Sequence, residues 1–227
     1  MALYHALLDA FGPRHWWPGA TPFEVMVGAV LTQNTAWTNV EKAIAALKRA
    51  GLLDAERLDA APEGRVAELI RPSGYFNVKA KRLKSLVRWF AGRLDGRVEA
   101  ADGIPTDALR RELLAVHGVG EETADSILLY AFEPPVFVVD AYTRRAFSRH
   151  GAFEADASYG EMQRFFQDRL APNVALYNEY HALIVYLGKD YCRPSPRCGD
   201  CPARECLGMP LEGRIRRPAC RRVAVVG

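Results

Sequence analysis

Three observations predict an all-α protein. Apolar residues recur at three- and four-residue spacing in ten segments, as in helices with one buried face. The one β-branched run, residues 136–139, is too short to found a sheet. Proline and glycine interrupt the chain between the segments and separate the helices. The ten segments are 3–11, 23–31, 40–47, 66–70, 83–90, 109–116, 123–132, 141–147, 162–170 and 177–187.

The composition is that of a folded chain with a sizeable core. Of the 227 residues, 49% are hydrophobic and 25% are charged, and the net charge is +3. This excludes a disordered polycation and admits a nucleic-acid binder only where the charge is unevenly placed. No apolar run approaches the ~20 residues of a membrane helix, and the N-terminus lacks the pattern of a secretory signal. We expect a cytoplasmic monomer with no membrane partner and no obligate protein partner.

Two stretches of the chain are rich in basic residues, and the first has no acidic residue. Such runs are commonly solvated faces, but the lack of compensating acids favours contacts with phosphates. The basic residues of the first stretch, 74–92, are Lys79, Lys81, Arg82, Lys84 and Arg88. Those of the C-terminal tail are Arg214, Arg216, Arg217, Arg221 and Arg222.

Residues 115–125 form a predicted hairpin between two helices. Gly118 and Gly120 allow a tight turn that leaves backbone N–H groups exposed at the start of the second helix. Such a turn can hold a DNA phosphate without reading sequence, although a plain helix–helix connection has the same pattern.

Asp140 lies between an apolar segment and a predicted helix. An aspartate in that position is commonly a helix N-cap. A carboxylate held beside apolar surface can also stabilise a cationic transition state, so both interpretations stay open.

Four of the five cysteines lie within fifteen consecutive residues, spaced C-x5-C-x2-C-x4-C. A disulfide framework would need an oxidising compartment, for which nothing else argues. Four thiolates in one short loop suit an iron–sulfur cluster, and zinc is the alternative. The predicted ligands are Cys192, Cys198, Cys201 and Cys206, and Cys220 is left as a free thiol.

In their order along the chain, these motifs resemble the endonuclease III superfamily of helix-hairpin-helix DNA glycosylases. The resemblance covers residues 31–35, 74–80, 117–120 and 138–140 and ends with the cysteines. It implies a two-lobed fold with damaged double-stranded DNA as partner, in the cytosol or nucleoid of a bacterium. A six-helix lobe, 22–132, would carry the hairpin. Residues 1–21 and 133–227 would form the second lobe, with a structural [4Fe-4S] cluster in loop 192–206.

The resemblance also assigns the chemistry and marks two departures. Asp140 matches the aspartate that stabilises the oxocarbenium-like sugar and orients water. Bifunctional members have a lysine two residues after the last hairpin glycine, where this chain has Glu122, which cannot form an imine. This favours a monofunctional glycosylase. The cysteine spacing is one residue shorter in two of its loops than the family's usual C-x6-C-x2-C-x5-C.

The remaining site residues are also implied by the resemblance. Trp16, Trp37 and Lys189 match the base pocket of the 3-methyladenine glycosylase branch, where electron-rich rings favour a cationic purine. Gln33 matches a residue inserted into the gap left by the flipped base. Further predicted DNA contacts are His117, Gly118, Val119, Gly120, Lys79 and Lys81.

Three hypotheses therefore remain from the sequence. The first is a monofunctional glycosylase that favours alkylated purines. The second is a bifunctional glycosylase and AP lyase of the endonuclease III type, acting on oxidised pyrimidines. The third is a DNA- or lesion-binding relative with weak or lost catalysis, since Glu121, Glu122 and Asp125 place negative charge beside the hairpin.

Overall fold

The computed structural model describes residues 1–206, and none of these lies in a β-strand. The prediction of an all-α fold is therefore confirmed for this part of the chain. The tail arginines from Arg214 on and Cys220 lie outside the described residues. The helices are α1 (Ala2–Phe11), α2 (Pro22–Leu31), α3 (Trp37–Arg49), α4 (Ala55–Ala60), α5 (Glu63–Leu69), α6 (Phe76–Leu94), α7 (Thr106–Ala115), α8 (Glu121–Ile127), α9 (Ala141–Arg149), α10 (Tyr159–Gln167) and α11 (Val174–Asp190).

Each of the ten predicted segments overlaps a helix. The structure departs from the prediction at two helices, α4 and α6. Helix α4 was not predicted, because its six residues bury one apolar side chain, Leu58, and show no period. Helix α6 begins at Phe76, seven residues before the periodic segment. Its first turns show no apolar stripe, because Val78 is exposed and the buried residues there are Lys79 and Ala80.

The chain divides into two compact units. We call Pro18–Pro134 the hairpin unit, and Met1–Trp17 together with the described residues from Pro135 to Cys206 the terminal unit. Within residues 1–206, the longest apolar helices fall short of what crossing a bilayer requires.

Helix α2 is the core of the hairpin unit. Thr21 caps its N-terminus by accepting a hydrogen bond from the Glu24 backbone N–H at 3.1 Å, and Pro22 occupies the first turn. Every residue from 24 to 31 is buried. The single charged side chain among them, Glu24, pairs with Lys48 at 2.7 Å, which compensates its burial.

Helices α9 and α11 pack closely in the terminal unit. A Cβ on Gly188 would lie 2.4 Å from Cδ1 of Tyr142, so only glycine permits this approach. The apolar segment before α9 completes the core, where the Phe137 ring stacks on that of Phe166 with centroids 4.1 Å apart. Asp140, the N-cap of α9, follows this segment directly.

Candidate functional site

The hairpin is a tight turn from α7 into α8. Gly118 has φ +85°, and a Cβ there would lie 2.1 Å from Cγ of Arg82. Arg82 therefore packs directly on the turn, where only glycine fits. His117 and Gly120 are exposed, whereas Val119 is buried beneath them.

Gln33 holds the hairpin through two hydrogen bonds and is joined to Arg82 of α6 by a third. Its Nε2 donates to the Gly118 carbonyl at 3.1 Å and to Thr123 Oγ1 at 3.0 Å. Its Oε1 accepts from the Arg82 guanidinium at 2.6 Å. The predicted insertion of Gln33 into DNA would therefore require these bonds to break first.

Lys79 is not available to DNA, in contrast to the prediction. Its side chain lies in the core, where Nζ donates to the Leu31 carbonyl at 2.8 Å and to the Ser73 carbonyl at 2.6 Å. Burial and the nearby Arg82 lower the pKa of Lys79 to about 8. This lysine satisfies the carbonyl at the end of α2, which is a structural role.

The rest of the basic stretch is also largely engaged, and it does have an acidic partner. Lys84 is buried and donates to the Leu58, Asp59 and Ala61 carbonyls, and its ammonium lies 3.6 Å from the Asp59 carboxylate. Arg88 approaches the same carboxylate at 3.4 Å. Lys81 is exposed and stays a predicted phosphate contact.

Two of the three acids beside the hairpin are partly or fully neutralised. Asp125 is completely buried and receives two hydrogen bonds from Arg110, at 2.6 and 3.0 Å. Arg110 also lies 3.7 Å from Glu121. Glu122 is exposed on the first turn of α8. The net negative charge at this surface is therefore smaller than that of the three carboxylates counted from the sequence.

Asp140 is the N-cap of α9. Its Oδ1 accepts from the Thr143 backbone N–H at 2.7 Å and from Thr143 Oγ1 at 2.9 Å. Burial acts to raise the pKa of Asp140, but His181 and Thr143 together outweigh it, so that its pKa lies below the ordinary value. The carboxylate is thus ionised, oriented and almost dry, with 10% of its side chain exposed.

His181 is a neighbour of Asp140 that the sequence analysis missed. Its Nε2 lies 3.6 Å from Asp140 Oδ2. The two residues are 41 positions apart, and a histidine within an apolar helical segment is not distinguishable by pattern from an ordinary core residue. Only the packing of α11 on α9 brings them together.

The predicted base-pocket residues are divided between the two units, and each of them is at least partly exposed. Trp16 lies edge-on to Trp17 in the terminal unit, with ring centroids 5.6 Å apart. The exposed Lys189 lies in the same unit, its ammonium 5.8 Å from the centroid of the Tyr186 ring. In the hairpin unit, Trp37 donates from its indole N–H to Glu41 at 3.1 Å. Their joint role as a pocket stays a prediction.

Tyr75 is an exposed aromatic residue that sequence analysis did not single out. It is 75% exposed and adopts a left-handed conformation, φ +44°, immediately before α6. Backbone strain of this kind is concentrated at functional sites. The signal in the sequence is weak, because an aromatic residue after glycine is equally consistent with packing.

Three of the four predicted ligand cysteines line one small cavity. Cys192, Cys198 and Cys201 surround a space of about 10 Å³, roughly the size of one water. Two arginines of α9 hold this loop: Arg145 donates to the Cys192 carbonyl at 2.6 Å, and Arg149 approaches Cys192 Sγ at 3.5 Å. The loop is thereby tied to the helix that Asp140 caps.

The cysteine loop fits an iron–sulfur cluster by chemistry but does not display a formed site. Thiols and neighbouring cationic side chains are the groups expected around such a cluster. However, among the residues up to Cys206, no three His, Cys, Asp or Glu side chains are arranged so that they could hold a metal ion.

Comparison with known proteins supports a common family. The model for HhH-GPD superfamily base excision DNA repair proteins matches residues 27–172. A Methanocaldococcus jannaschii protein named as a DNA repair glycosylase is 47% identical over 207 residues, which cover 90% of this chain and 94% of the relative. Endonuclease III of Thermotoga maritima is 31% identical over 181 residues, 79% of each chain.

Solved structures agree with these sequence relatives. The 3-methyladenine DNA glycosylase of H. pylori, bound to 1,N6-ethenoadenine, has a TM-score of 0.70 and 31% identity, covering 82% of this chain and 95% of its own. An endonuclease III–DNA covalent intermediate has a TM-score of 0.75, covering 88% of this chain and 90% of its own. At 24% identity it supports the fold alone.

Proposed function

This chain belongs to the HhH-GPD superfamily of base excision DNA repair proteins, and from that premise we propose that it is a monofunctional DNA glycosylase. It would bind damaged double-stranded DNA and hydrolyse the N-glycosidic bond of a flipped base, with an alkylated purine preferred. The proposal includes the division into a lobe of residues 22–132 and a second lobe of 1–21 with 133–227.

The observation that carries the proposal is the environment of Asp140. Cleavage of a glycosidic bond builds positive charge on the sugar, and an ionised carboxylate held close to it lowers that barrier. The hydrogen bonds from Thr143 fix the orientation of this carboxylate, and its lowered pKa keeps it charged at neutral pH. In the proposed reaction Asp140 stabilises the sugar cation and orients the attacking water.

Glu122 is the reason for proposing hydrolysis without strand cleavage. A lyase of this family uses an amine to attack the sugar, and a carboxylate cannot form the imine intermediate. Glu122 is exposed at the start of α8, the position that the family resemblance gives to the lysine. Water is then the nucleophile, and the abasic product keeps its strand intact.

The preference for alkylated purines has two supports. A 3-methylated adenine is cationic, and the faces of indole rings attract cations. Trp16 and Trp37, both partly exposed, are candidates for stacking on the flipped base, with Lys189 at the pocket wall. The likeness to the H. pylori 3-methyladenine DNA glycosylase, at 31% identity, favours the same substrate class.

Contacts with the DNA backbone would come from the hairpin and from Lys81. The exposed residues His117 and Gly120 border the turn, and Gly118 lets the backbone bend there. Tyr75 adds an exposed ring on the same unit, suited to stacking against bases. Such contacts would position the protein on DNA without specifying a sequence.

We also propose that Cys192, Cys198, Cys201 and Cys206 hold a [4Fe-4S] cluster with a structural role. When bound, the cluster would cross-link a loop that has little apolar core of its own. Purified protein is expected to be brown, with iron and acid-labile sulfide in the ratio of that cluster, and Cys198→Ser is expected to lose most of both. Stoichiometric zinc without sulfide would support the alternative metal instead.

Base release from defined lesions tests the proposed activity. Purified protein is incubated with duplexes carrying 3-methyladenine-type, uracil or oxidised-pyrimidine lesions, and the free base is measured. We expect release from the alkylated duplex, and a loss of at least about a hundredfold in Asp140→Asn. Asparagine is also a good N-cap, so this variant should remain folded and still bind the lesion. Undiminished release by Asp140→Asn would reject the assigned role.

The bifunctional alternative rests on the sequence likeness to endonuclease III. The Thermotoga maritima enzyme of that name is as identical to this chain as the H. pylori structure is. If another amine replaces the missing lysine, oxidised pyrimidines would be released and the strand cleaved without alkali. The same lesion panel distinguishes this outcome from the proposed one, and binding without release on every lesion would indicate a relative that has lost catalysis.

A further inference from the structure

We propose that His181 is a positioning residue for Asp140: its imidazole holds the Oδ2 side of the carboxylate so that the charged group faces the reacting sugar. This inference rests on the catalytic role proposed for Asp140 above. It adds a second residue, from a different helix, to the machinery of the reaction.

The two oxygens of the carboxylate have different surroundings. Oδ1 is occupied by the start of α9, because it accepts from both the N–H and the hydroxyl of Thr143. Oδ2 is therefore the oxygen left to face a sugar cation and a water molecule. The imidazole of His181 lies beside that oxygen, with Nε2 at 3.6 Å.

Rigid packing sets the position of His181. The residue is 4% exposed, and it lies on α11 two helical turns before Gly188, where Tyr142 of α9 approaches too closely for any side chain. Arg145 of α9 donates to the Gly188 carbonyl at 3.0 Å and locks the same contact. The imidazole therefore cannot move away from Asp140 without separating two packed helices.

Arg144 and Arg145 of α9 and Glu179 of α11 are engaged elsewhere. Arg144 donates to the Ala155 and Ala157 carbonyls, and Arg145 to those of Cys192 and Gly188. Glu179 of α11 accepts from the Arg14 backbone N–H, and burial raises the pKa values of Tyr177 and Tyr180, which keeps both neutral. Across the described chain, the pKa of Asp140 is thus set by burial, His181 and Thr143.

This environment gives His181 a defined chemical task. An imidazole N–H directed from Nε2 toward Oδ2 stabilises the charged form of the carboxylate. Without His181, only the Thr143 hydrogen bonds would oppose the effect of burial on the pKa of Asp140. That pKa would therefore rise, and the carboxylate would take up a proton at a higher pH. A protonated Asp140 cannot stabilise a sugar cation.

The test compares His181→Phe, His181→Gln and the control Tyr177→Phe in single-turnover base release across a range of pH. His181→Phe keeps a ring of similar size but has no donor. We expect the acid limb of its pH–rate profile, where the rate falls because Asp140 becomes protonated, to move to higher pH. On that limb the rate falls roughly tenfold for each unit by which the pKa rises. His181→Gln restores a neutral donor and should recover an acid limb close to that of the wild type.

The control separates this role from general packing. Tyr177 lies one turn earlier on the buried face of α11, where it contacts the ring of Phe137. Tyr177→Phe should leave the acid limb in place, and lesion-DNA affinity should be unchanged in all three variants. An unshifted acid limb and rate in His181→Phe, or an equal shift in Tyr177→Phe, would overturn the proposal.

A second measurement, the titration of Asp140 itself, does not depend on catalytic turnover. The Asp140 carboxyl carbon is titrated by 13C NMR in the wild type, His181→Phe and His181→Gln, with Asp140→Asn to assign the signal. A higher pKa in His181→Phe that returns toward the wild-type value in His181→Gln supports the positioning role. Identical titrations overturn it, whatever the activity. Absence of base release by the wild type would instead reject the proposed function.

Discussion

Asp140 combines two roles that the sequence leaves as alternatives. It caps α9 through Thr143, and the same hydrogen bonds orient the carboxylate and help to keep it ionised. The residue could be chosen from the sequence because an aspartate follows an apolar segment and precedes a helix. Its partner His181 could not, since nothing local relates two residues that are brought together by helix packing.

Lys79 shows how a residue of the right type can be misassigned from sequence. A lysine in a stretch without acids indicates a phosphate contact, yet this one is 2% exposed. Its partners, the Leu31 and Ser73 carbonyls, are backbone groups. Since every residue has a carbonyl, the sequence carries no signal of which ones need a side-chain donor.

Lys79→Met is expected to destabilise the protein by about 2 kcal/mol at neutral pH, because two buried carbonyls lose their donor. The pKa of Lys79 is lowered from 10.5 to about 8, so between those values the unfolded chain binds the extra proton. The stability of the wild type relative to the variant should therefore rise as pH increases from about 8 to 10.5.

Urea unfolding at a pH near 7 and again at a pH near 9.5 measures this difference. Lys81→Met is the matched control, because Lys81 is exposed on the same helix and should change stability by less than ~0.5 kcal/mol at both pH values. Equal stability of Lys79→Met and Lys81→Met would contradict the burial of Lys79.

At the level of elements, periodicity located most helices because each buries one apolar face. It failed where burial is slight, as in α4, and it located the segment 123–132 without revealing that the helix changes its winding there. Helix α8 continues into a π-helical turn at Leu128–Phe132, and every residue from Thr123 to Leu129 is buried. A segment that is buried all round has no face to reveal its winding.

The hairpin turn gives a prediction at this scale. Gly118→Ala is expected to cost about 2 kcal/mol of stability or more, because its φ is positive and the new Cβ would collide with Arg82. Moving Arg82 would also break its bond to Gln33. Chemical denaturation measures the loss.

Gly120→Ala is the matched variant in the same turn. Gly120 has φ −95°, and nothing lies within 4 Å of an added Cβ, so its stability should stay close to that of the wild type. A Gly118→Ala protein as stable as Gly120→Ala would contradict the close packing of Arg82 on the hairpin.

At the level of the whole molecule, the sequence predicted the fold class and the family better than the state of individual side chains. The order of hairpin, aspartate and cysteine loop identifies the family, and each motif is local. The structure adds the bonding partners of individual side chains. Gln33 is hydrogen-bonded within the hairpin unit, Asp125 is neutralised by Arg110, and Lys84 pairs with Asp59. These pairings join distant segments, so local patterns could not foresee them.

The central claim is that this chain releases a base and leaves the strand intact, and borohydride trapping combined with alkali-dependent cleavage tests it most directly. Wild-type protein and Glu122→Lys are incubated with an abasic duplex and borohydride, and in parallel with an alkylated duplex. We expect no trapped complex for the wild type, cleavage of the alkylated strand only after alkali, and trapping restored to some extent in Glu122→Lys. A strong trapped band and alkali-independent cleavage with the wild type would contradict the assignment.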